Sequence, residues 1–297
     1  MKDSLKTILK KGLFFLSDRD YINLYFRVNV GRKMDWENPR TLNEKLQWLK
    51  FNYRTPLQTI VSDKILVRNY VKEKIGSRFL IPIYGIWDNF DDIDFSKLPN
   101  QFVLKCNHDS GGIVVCKDKS TFNVRKARKK INKALKSNFF YVGREYQYKN
   151  IKPRIYCEQF ISDKNAMPND YKIYCFNGKP DVLLLCFERF KNGSHRAKYQ
   201  FYDKNWNFLP FNKGDEERNP VPVERPKNLD KMFEIAKELS KDFYFSRIDF
   251  YNVNGKIYFG EITLTPNSGF DPDIKYETDL RFGNLLDIPF WDDIKHF

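Results

Sequence analysis

The segment RIDFYNVNGKIYFGEITLTPNS, residues 247–268, carries acidic side chains inside two strand-like runs joined by a turn signal. Asn254-Gly255 is a favoured turn dipeptide, and aromatic and β-branched residues flank it, so the segment predicts a β-hairpin. Asp249 lies in the first run and Glu261 in the second. Two carboxylates on adjacent strands repel each other unless a cation lies between them, so this hairpin constrains both the fold and the chemistry of the chain.

Strand parity decides whether the charged residues meet. Side chains alternate between faces, so Arg247 and Asp249 share one face. A two-residue loop would pair Asp249 with Gly260 and turn Glu261 away, whereas a three-residue loop with a bulge at Gly255 brings all three charges together. A binding site therefore requires the three-residue loop. Hard oxygen ligands beside an arginine suit Mg²⁺-bound phosphates, and the alternative is a solvated sheet face with an Arg–Glu pair.

Composition and charge indicate a globular chain with acidic partners. The 297 residues are 41% hydrophobic, enough for one large domain or two to three joined subdomains. The 52 Lys and Arg exceed the 38 Asp and Glu by 14, which favours nucleotides, acidic sugars, nucleic acid or an anionic membrane.

Five cysteines without C-x-x-C spacing lie mostly in apolar runs, which indicates reduced, packed thiols in a cytosolic protein. With only three histidines, widely separated, a zinc site is not expected.

The N-terminal segment is basic and amphipathic, too short in its apolar run for a signal peptide, and no segment has the length of a transmembrane helix. It either docks on the protein's core or lies on a membrane surface. Its apolar residues recur at helical spacing: Leu5, Ile8, Leu9, Leu13 and Leu16.

Three regions follow from the pattern of the chain. Residues 1–98 read as helix-rich, with a capping box at Thr41 and Glu44, a cap at Ser62 and a helix end at Gly76. Residues 99–161 read as a small α+β unit, and residues 162–297 as a hairpin-rich sheet with one helix and the last hairpin.

Two further stretches carry functional signals. In FVLKCNHDSGG, Lys105 ends an apolar strand before a glycine loop that is neither a Walker A loop nor G-x-G-x-x-G. The loop is either a phosphate cradle or an ordinary hairpin turn. The strand RIYCEQFI either offers backbone groups and the Glu158 carboxylate to adenine or is an edge strand leading into a loop.

Together these stretches resemble a known family. A strand lysine with a glycine loop, then CEQFI, DYK, and finally R-x-D with E-x-T-x-x-P, stand in the order typical of ATP-grasp ligases. NHDSGG, DYKIYCFNGKP and YDKNW resemble the teichuronopeptide-biosynthesis-like (TupA-like) branch, which accompanies capsule and cell-wall polysaccharide genes. The resemblance covers about residues 60 to 270. It implies an α+β fold with two subdomains clasping ATP behind a helix-rich N-terminal region.

The resemblance also implies roles for individual residues. Arg247 and Lys105 would be catalytic, Asp249 and Glu261 would bind Mg²⁺, and Thr263 stands where many such ligases have Asn. The third metal ligand is therefore Thr263 or Asn267. The residues expected to contact ATP are Lys105, Ser110, Gly111, Gly112, Glu158, Gln159, Phe160, Ile161, Asp170 and Lys172.

The expected reaction joins a uronic acid carboxylate of a surface polysaccharide or its precursor to an amino acid or small amine, releasing ADP and phosphate. The expected location is the cytoplasm, with peripheral association at the inner face of the membrane. One alternative is a glycosyltransferase using Asp92-Ile93-Asp94 as a D-x-D metal motif. A nucleic-acid-binding protein is the other, but the aromatic residues alternate as core residues do, and no nucleic acid partner is expected. The acid, the amine and the oligomeric state stay open.

Overall fold

The computed structural model describes residues 16–162, 167–188 and 197–289. The amphipathic N-terminal segment, apart from Leu16, lies outside the described residues. Two antiparallel sheets and their helices form an α+β fold, as the sequence predicts. The helices are α1 (Asp18–Asn29), α2 (Leu42–Asn52), α3 (Pro56–Ser62), α4 (Val67–Ile75), α5 (Val124–Leu135), α6 (Phe140–Gly143), α7 (Leu229–Ser240) and α8 (Tyr276–Leu285).

The smaller sheet has four strands in the order β1-β4-β2-β3. They are β1 (Ile83–Trp87), β2 (Phe102–Cys106), β3 (Ile113–Cys116) and β4 (Ile155–Gln159). One face packs on α5, where Leu104 meets Ala127 and Ile131 in a buried cluster. Because side chains alternate, Lys105 projects from the opposite face. Strand β1 comes from the region that the sequence indicated as helix-rich.

The larger sheet has six strands in the order β10-β9-β5-β6-β7-β8. They are β5 (Asp170–Phe176), β6 (Lys179–Phe187), β7 (Lys198–Tyr202), β8 (Phe208–Leu209), β9 (Phe245–Val253) and β10 (Lys256–Thr263). One face packs on α4 and α7. The other face is covered at one end by α2 and α8, through Leu46 and Phe282. The uncovered part of this second face carries the charged residues of the hairpin.

The hairpin reaches the expected arrangement by a different route from the predicted one. Asn254 and Gly255, both with positive φ, form a two-residue loop, and Lys256 pairs with Val253. The predicted three-residue loop is therefore wrong. The extra residue is Gly260, which bulges between Phe259 and Glu261 and brings Glu261 opposite Asp249. A Cβ at Gly260 would lie 3.0 Å from the Asp249 carbonyl oxygen, so the bulge favours glycine.

The helix signals near the N-terminus hold with one exception. The capping box forms as predicted: Thr41 N–H donates to the Glu44 carboxylate (2.9 Å), and Glu44 N–H to the Thr41 hydroxyl (3.4 Å). Gly76, with φ of 89°, ends α4. Ser62 does not cap a helix, because it is the last residue of α3. The Asp63 carboxylate instead accepts the backbone N–H groups of the turn that leads into α4.

The cysteines match the sequence analysis: all five are buried and none forms a disulfide. Burial raises the pKa of the Cys106 thiol to about 12. Within the described residues no helix is both long and apolar enough to cross a lipid bilayer.

Candidate active site

Lys105 and Glu158 form an ion pair on the face of the smaller sheet that points away from α5. Their side chains are only 16% and 8% exposed. Burial alone would lower the pKa of Lys105, but the attraction of Glu158 and of Tyr156 outweighs it, so the pKa is raised and the ammonium stays charged. Tyr251 of β9, which lies on the same face of its strand as Asp249, also raises the pKa of Lys105.

The charged residues of the hairpin form one connected cluster on the larger sheet. Arg247 grips Asp249 with two hydrogen bonds of 2.8 Å, from Nε and Nη2. The same Nη2 lies 3.2 Å from the Thr263 hydroxyl and 3.5 Å from the Glu261 carboxylate. The sequence prediction that Arg247, Asp249 and Glu261 share a face is thus correct.

Strand β5 contributes to the same cluster. Lys172 pairs with Asp249, its neighbour across β5 and β9, and lies 3.0 Å from the Asp170 carboxylate. Asp170 and Lys172 therefore point toward the hairpin carboxylates, on the face that the resemblance assigned to ATP.

Lys64 joins the two halves of the site, and the sequence analysis missed it. Its ammonium donates to the Asp109 carbonyl (2.7 Å) and lies 3.9 Å from the Glu261 carboxylate. Burial would raise the pKa of Glu261, but Lys64, then Lys172 and Arg247, lower it to about 2. The only sign of this role in the sequence was that Asp63-Lys64 directly follows a short helix.

The glycine loop is held by an internal hydrogen bond and by close packing. Gly112 N–H donates to the Asp109 carboxylate (2.9 Å), so this amide is engaged within the loop. A Cβ at Gly112 would lie 2.8 Å from Cβ of Ala134, so close packing against α5 also requires glycine there. Ser110 and Gly111 are exposed at the tip of the loop.

The linker that leaves β4 begins inside the site. Glu158 is tied to Lys105, Gln159 is exposed, and Phe160 and Ile161 are half-buried. The chain then runs to Asp170 at the start of β5, so the linker connects the two sheets beside the Lys105 pair.

Asn267 lies near the cluster in a turn of left-handed backbone. Asn267 and Ser268 have φ of 48° and 56°. The Lys50 ammonium donates to the Ser268 carbonyl (2.8 Å), and the Ser268 hydroxyl donates to the Glu145 carboxylate (2.7 Å). Burial lowers the pKa of Lys50 to about 7, against the attraction of Glu145.

The donor set fits Mg²⁺ that is bound together with a nucleotide. Within the described residues, no three His, Cys, Asp or Glu side chains converge into a complete metal cage. Mg²⁺ is usually held by one or two carboxylates plus substrate phosphates, which matches Asp249 and Glu261. Thr263 Oγ1 lies 3.3 Å from Glu261 Oε1, and Asn267 lines a cleft together with Arg247, so both are candidates for a third ligand.

A cleft of about 720 Å³ opens beside this cluster. Lys172 and Arg247 of the cluster line it together with Asn267, and its lining also includes Tyr199, Phe208 and Arg218. Its size fits a ligand larger than one small amino acid.

The alternative D-x-D motif serves local structure. Asp94 accepts hydrogen bonds from the Ser96 backbone (3.0 Å) and hydroxyl (2.6 Å), and it pairs with Lys97 at 3.3 Å. Asp92 accepts from Asn89 (3.2 Å). These acids cap turns, as acids in loops commonly do.

A family model described as TupA-like ATPgrasp matches residues 44–287. A search of curated protein sequences found no match. Among solved structures, D-alanine-D-alanine ligase from Helicobacter pylori is 19% identical, with 82% of this chain and 69% of that chain covered and a TM-score of 0.43. D-alanine-D-alanine ligase from Bacillus anthracis complexed with ATP is 12% identical, with 89% of this chain and 78% of that chain covered and a TM-score of 0.43. L-amino acid ligase from Bacillus licheniformis is 15% identical, with 86% of this chain and 57% of that chain covered and a TM-score of 0.48. This chain thus spans between about half and four fifths of their lengths, and at these scores the likenesses carry no argument about it.

Proposed function

Because the chain belongs to the TupA-like ATP-grasp family, we propose that it is an ATP-dependent ligase that joins a carboxylate to an amine through an acylphosphate. The observation that carries this proposal is the pairing of Asp249 and Glu261 across β9 and β10, with Arg247 beside both. Opposed carboxylates next to an arginine provide what phosphoryl transfer needs, a metal site and a cation for the charge on the moving phosphoryl group.

ATP would lie between the two sheets. Lys105, Lys172 and Lys64 supply positive charge for the phosphates, and the Ser110–Gly112 loop covers them. The base would lie against the face of the smaller sheet that carries Lys105, at the half-buried Ile113, which pairs with Lys105, and beside the linker from Glu158 to Ile161. Asp170, at the start of β5, would bind the ribose.

Asp249 and Glu261 would hold Mg²⁺, with Thr263 or Asn267 as a third ligand. When bound, the metal supplies positive charge to the β- and γ-phosphate oxygens. Arg247 keeps its charge throughout, because the attraction of Asp249 outweighs the effect of burial and raises its pKa. Its planar fork can therefore stabilise the equatorial oxygens of the transferred phosphoryl group.

The proposed reaction has two steps. A carboxylate oxygen of the acceptor attacks the γ-phosphorus, and the bond from this phosphorus to the β–γ bridging oxygen breaks, so ADP leaves. The amine nitrogen then attacks the acyl carbon, the carbon–oxygen bond to the phosphoryl group breaks, and phosphate leaves while the nitrogen loses its proton. The products are an amide, ADP and phosphate.

We propose a uronic acid of a surface polysaccharide or its precursor as the acid, an amino acid or small amine as the nucleophile, and the cytoplasm as the location. The cleft beside Arg247 supports a sugar acid, because it combines the cations Lys198, Lys213 and Arg218 with the aromatic rings of Tyr199 and Phe208. Basic groups recognise a carboxylate, and aromatic faces provide flat apolar surface for a sugar ring.

The test is a product assay with purified protein, Mg·ATP, and panels of uronic acids and amines. We expect ADP and phosphate only when both an acid and an amine are present. AMP and pyrophosphate would indicate adenylation instead. Calorimetry should detect ATP, and binding of UDP-sugars without ATP would favour a glycosyltransferase. Lys105→Met combined with Glu158→Gln, which removes both members of the ion pair, should abolish ATP binding in a folded protein.

A further inference from the structure

Helix α5 presents a strongly basic outer face. Between residues 124 and 136 there are seven basic residues and no acidic residue. Ala127, Ile131 and Ala134 are buried against the smaller sheet, and all seven basic side chains are exposed. They are Arg125, Lys126, Arg128, Lys129, Lys130, Lys133 and Lys136.

This charge is not explained by the stability of the helix. Arg125 and Lys129, and Lys126 and Lys130, are like charges four residues apart, which repel on a helix. Arg125 and Lys126 also stand in the first turn, where the helix dipole favours acids. Among the residues that the structure describes, only Arg128 of the seven forms a salt bridge, at 2.7 Å to Asp91. Asp91 therefore compensates one of the seven charges, and the fold tolerates the repulsion among the other six.

We propose that α5 is a docking face for an anionic membrane surface. The charged side chains project from the convex outside of a helix, which suits a flat surface better than a single polymer chain that needs a groove. Five of the seven are lysines. Lysine is a point charge suited to non-specific contact with lipid headgroups, whereas arginine forks are preferred for specific binding of sugar carboxylates.

The position of α5 is compatible with catalysis on such a surface. The helix covers one face of the smaller sheet, and Lys105 projects from the other. Docking through α5 therefore leaves the nucleotide side of the sheet free. Binding does not depend on the reaction proposed above, so it can fail or succeed independently of it.

The experiment is co-sedimentation of the whole chain with vesicles. Wild-type protein should bind vesicles of phosphatidylcholine and phosphatidylglycerol at ~0.1 M salt, should not bind phosphatidylcholine alone, and should be released at ~0.5 M salt, where charges are screened. Each basic side chain near an anionic surface contributes about fivefold in affinity. Because salt weakens this, the combined Lys126→Gln, Lys129→Gln, Lys130→Gln and Lys133→Gln variant should bind at least about tenfold more weakly.

The matched control neutralises four exposed lysines elsewhere and has the same net charge. Its substitutions are Lys179→Gln, Lys204→Gln, Lys227→Gln and Lys237→Gln, and it should bind within about twofold of wild type. Equal binding by the two variants would overturn the proposal, as would failure of wild-type protein to bind the anionic vesicles. Sedimentation with polygalacturonate or duplex DNA but not with vesicles would assign the helix to a polymer and also overturn it.

Discussion

Asp249→Asn and Glu261→Gln should both slow phosphoryl transfer about a hundredfold, but the first should destabilise the fold far more than the second. The Asp249 side chain is 6% exposed and holds Arg247 through two hydrogen bonds of 2.8 Å, with Lys172 also in contact. Its neutralisation leaves two mostly buried cations without their shared anion. Breaking a buried ion pair in this way costs about 3–5 kcal/mol.

Glu261 is held far more loosely. Its side chain is 38% exposed, and its nearest cations are Arg247 at 3.5 Å and Lys64 at 3.9 Å. Water screens such pairs, so Glu261→Gln should cost about 1 kcal/mol or less in the free energy of unfolding. In catalysis, however, each carboxylate is one electrostatic stabiliser, and its loss should cost about 3 kcal/mol, or about a hundredfold in rate.

The assay combines urea unfolding with ADP formation. Asp249→Asn should lower the urea midpoint by about 1 M or more, and Glu261→Gln by much less. Asp279→Asn is the matched control, because Asp279 is 4% exposed, contacts Arg32 and accepts the Asn43 N–H (2.8 Å), outside the cluster. It should lose stability but keep kcat. A folded, fully active Glu261→Gln would refute the metal-ligand assignment, and an Asp249→Asn variant of unchanged stability would refute the energetic reasoning.

Three other results follow from the same cluster. Thr263→Val should match the loss in Glu261→Gln if Thr263 is the third ligand, and Asn267→Ala should do so if Asn267 is; activity in both single variants would contradict a third protein ligand. Gly260→Ala should lower kcat about tenfold with folding retained, because its Cβ would lie 3.0 Å from the Asp249 carbonyl and shift the carboxylates slightly; wild-type kcat would show that the bulge tolerates a side chain. Since the pKa of Glu261 is lowered to about 2, the contribution of its ionised carboxylate to folding stability is present above pH 4.5, its ordinary pKa, and is lost as the pH falls toward 2. The stability of Glu261→Gln, measured by urea unfolding across this range, should therefore depend less on pH than that of the wild type. Identical pH profiles of the two proteins would count against the ion pairs.

Signals that act within a few residues were readable in the sequence. The capping box at Thr41 and the turn at Asn254-Gly255 depend on side chains and dihedral angles that neighbouring residues supply. The shared face of Arg247 and Asp249 follows from the two-residue period of a strand. These features needed no knowledge of the rest of the fold.

The position of the bulge was not decided by parity. An extra residue in the loop or an extra residue in β10 would each place Glu261 on the same face as Asp249, so strand parity alone cannot distinguish the two arrangements. A glycine inside a strand pattern is itself a bulge signal, and Gly260 could have been chosen on that ground. The prediction of a three-residue loop did not take this glycine into account.

Strand β1 and Lys64 depend on distant partners. The strand pairs with β4, about seventy residues later, and Gly85 interrupts its register. A short run of five residues with a central glycine has little strand character without that partner. Lys64 becomes part of the candidate site only because the fold brings the Asp109 carbonyl and the Glu261 carboxylate close to its ammonium group.

The position of Asn267 depends on buried charged residues from distant segments of the chain, and the sequence around Asn267 does not reveal it. Left-handed φ at two successive non-glycine residues costs free energy, and it persists only where surrounding contacts fix it. Here the Lys50 ammonium from α2 holds both the Ser268 carbonyl (2.8 Å) and the Gly143 carbonyl (2.6 Å), while Glu145 accepts the Ser268 hydroxyl. Three segments far apart in sequence thus fix the turn that presents Asn267 to the cleft. If Asn267 is the third ligand, α2 is part of the catalytic structure, because the Lys50 ammonium ties this turn to the segment of Gly143 and Glu145.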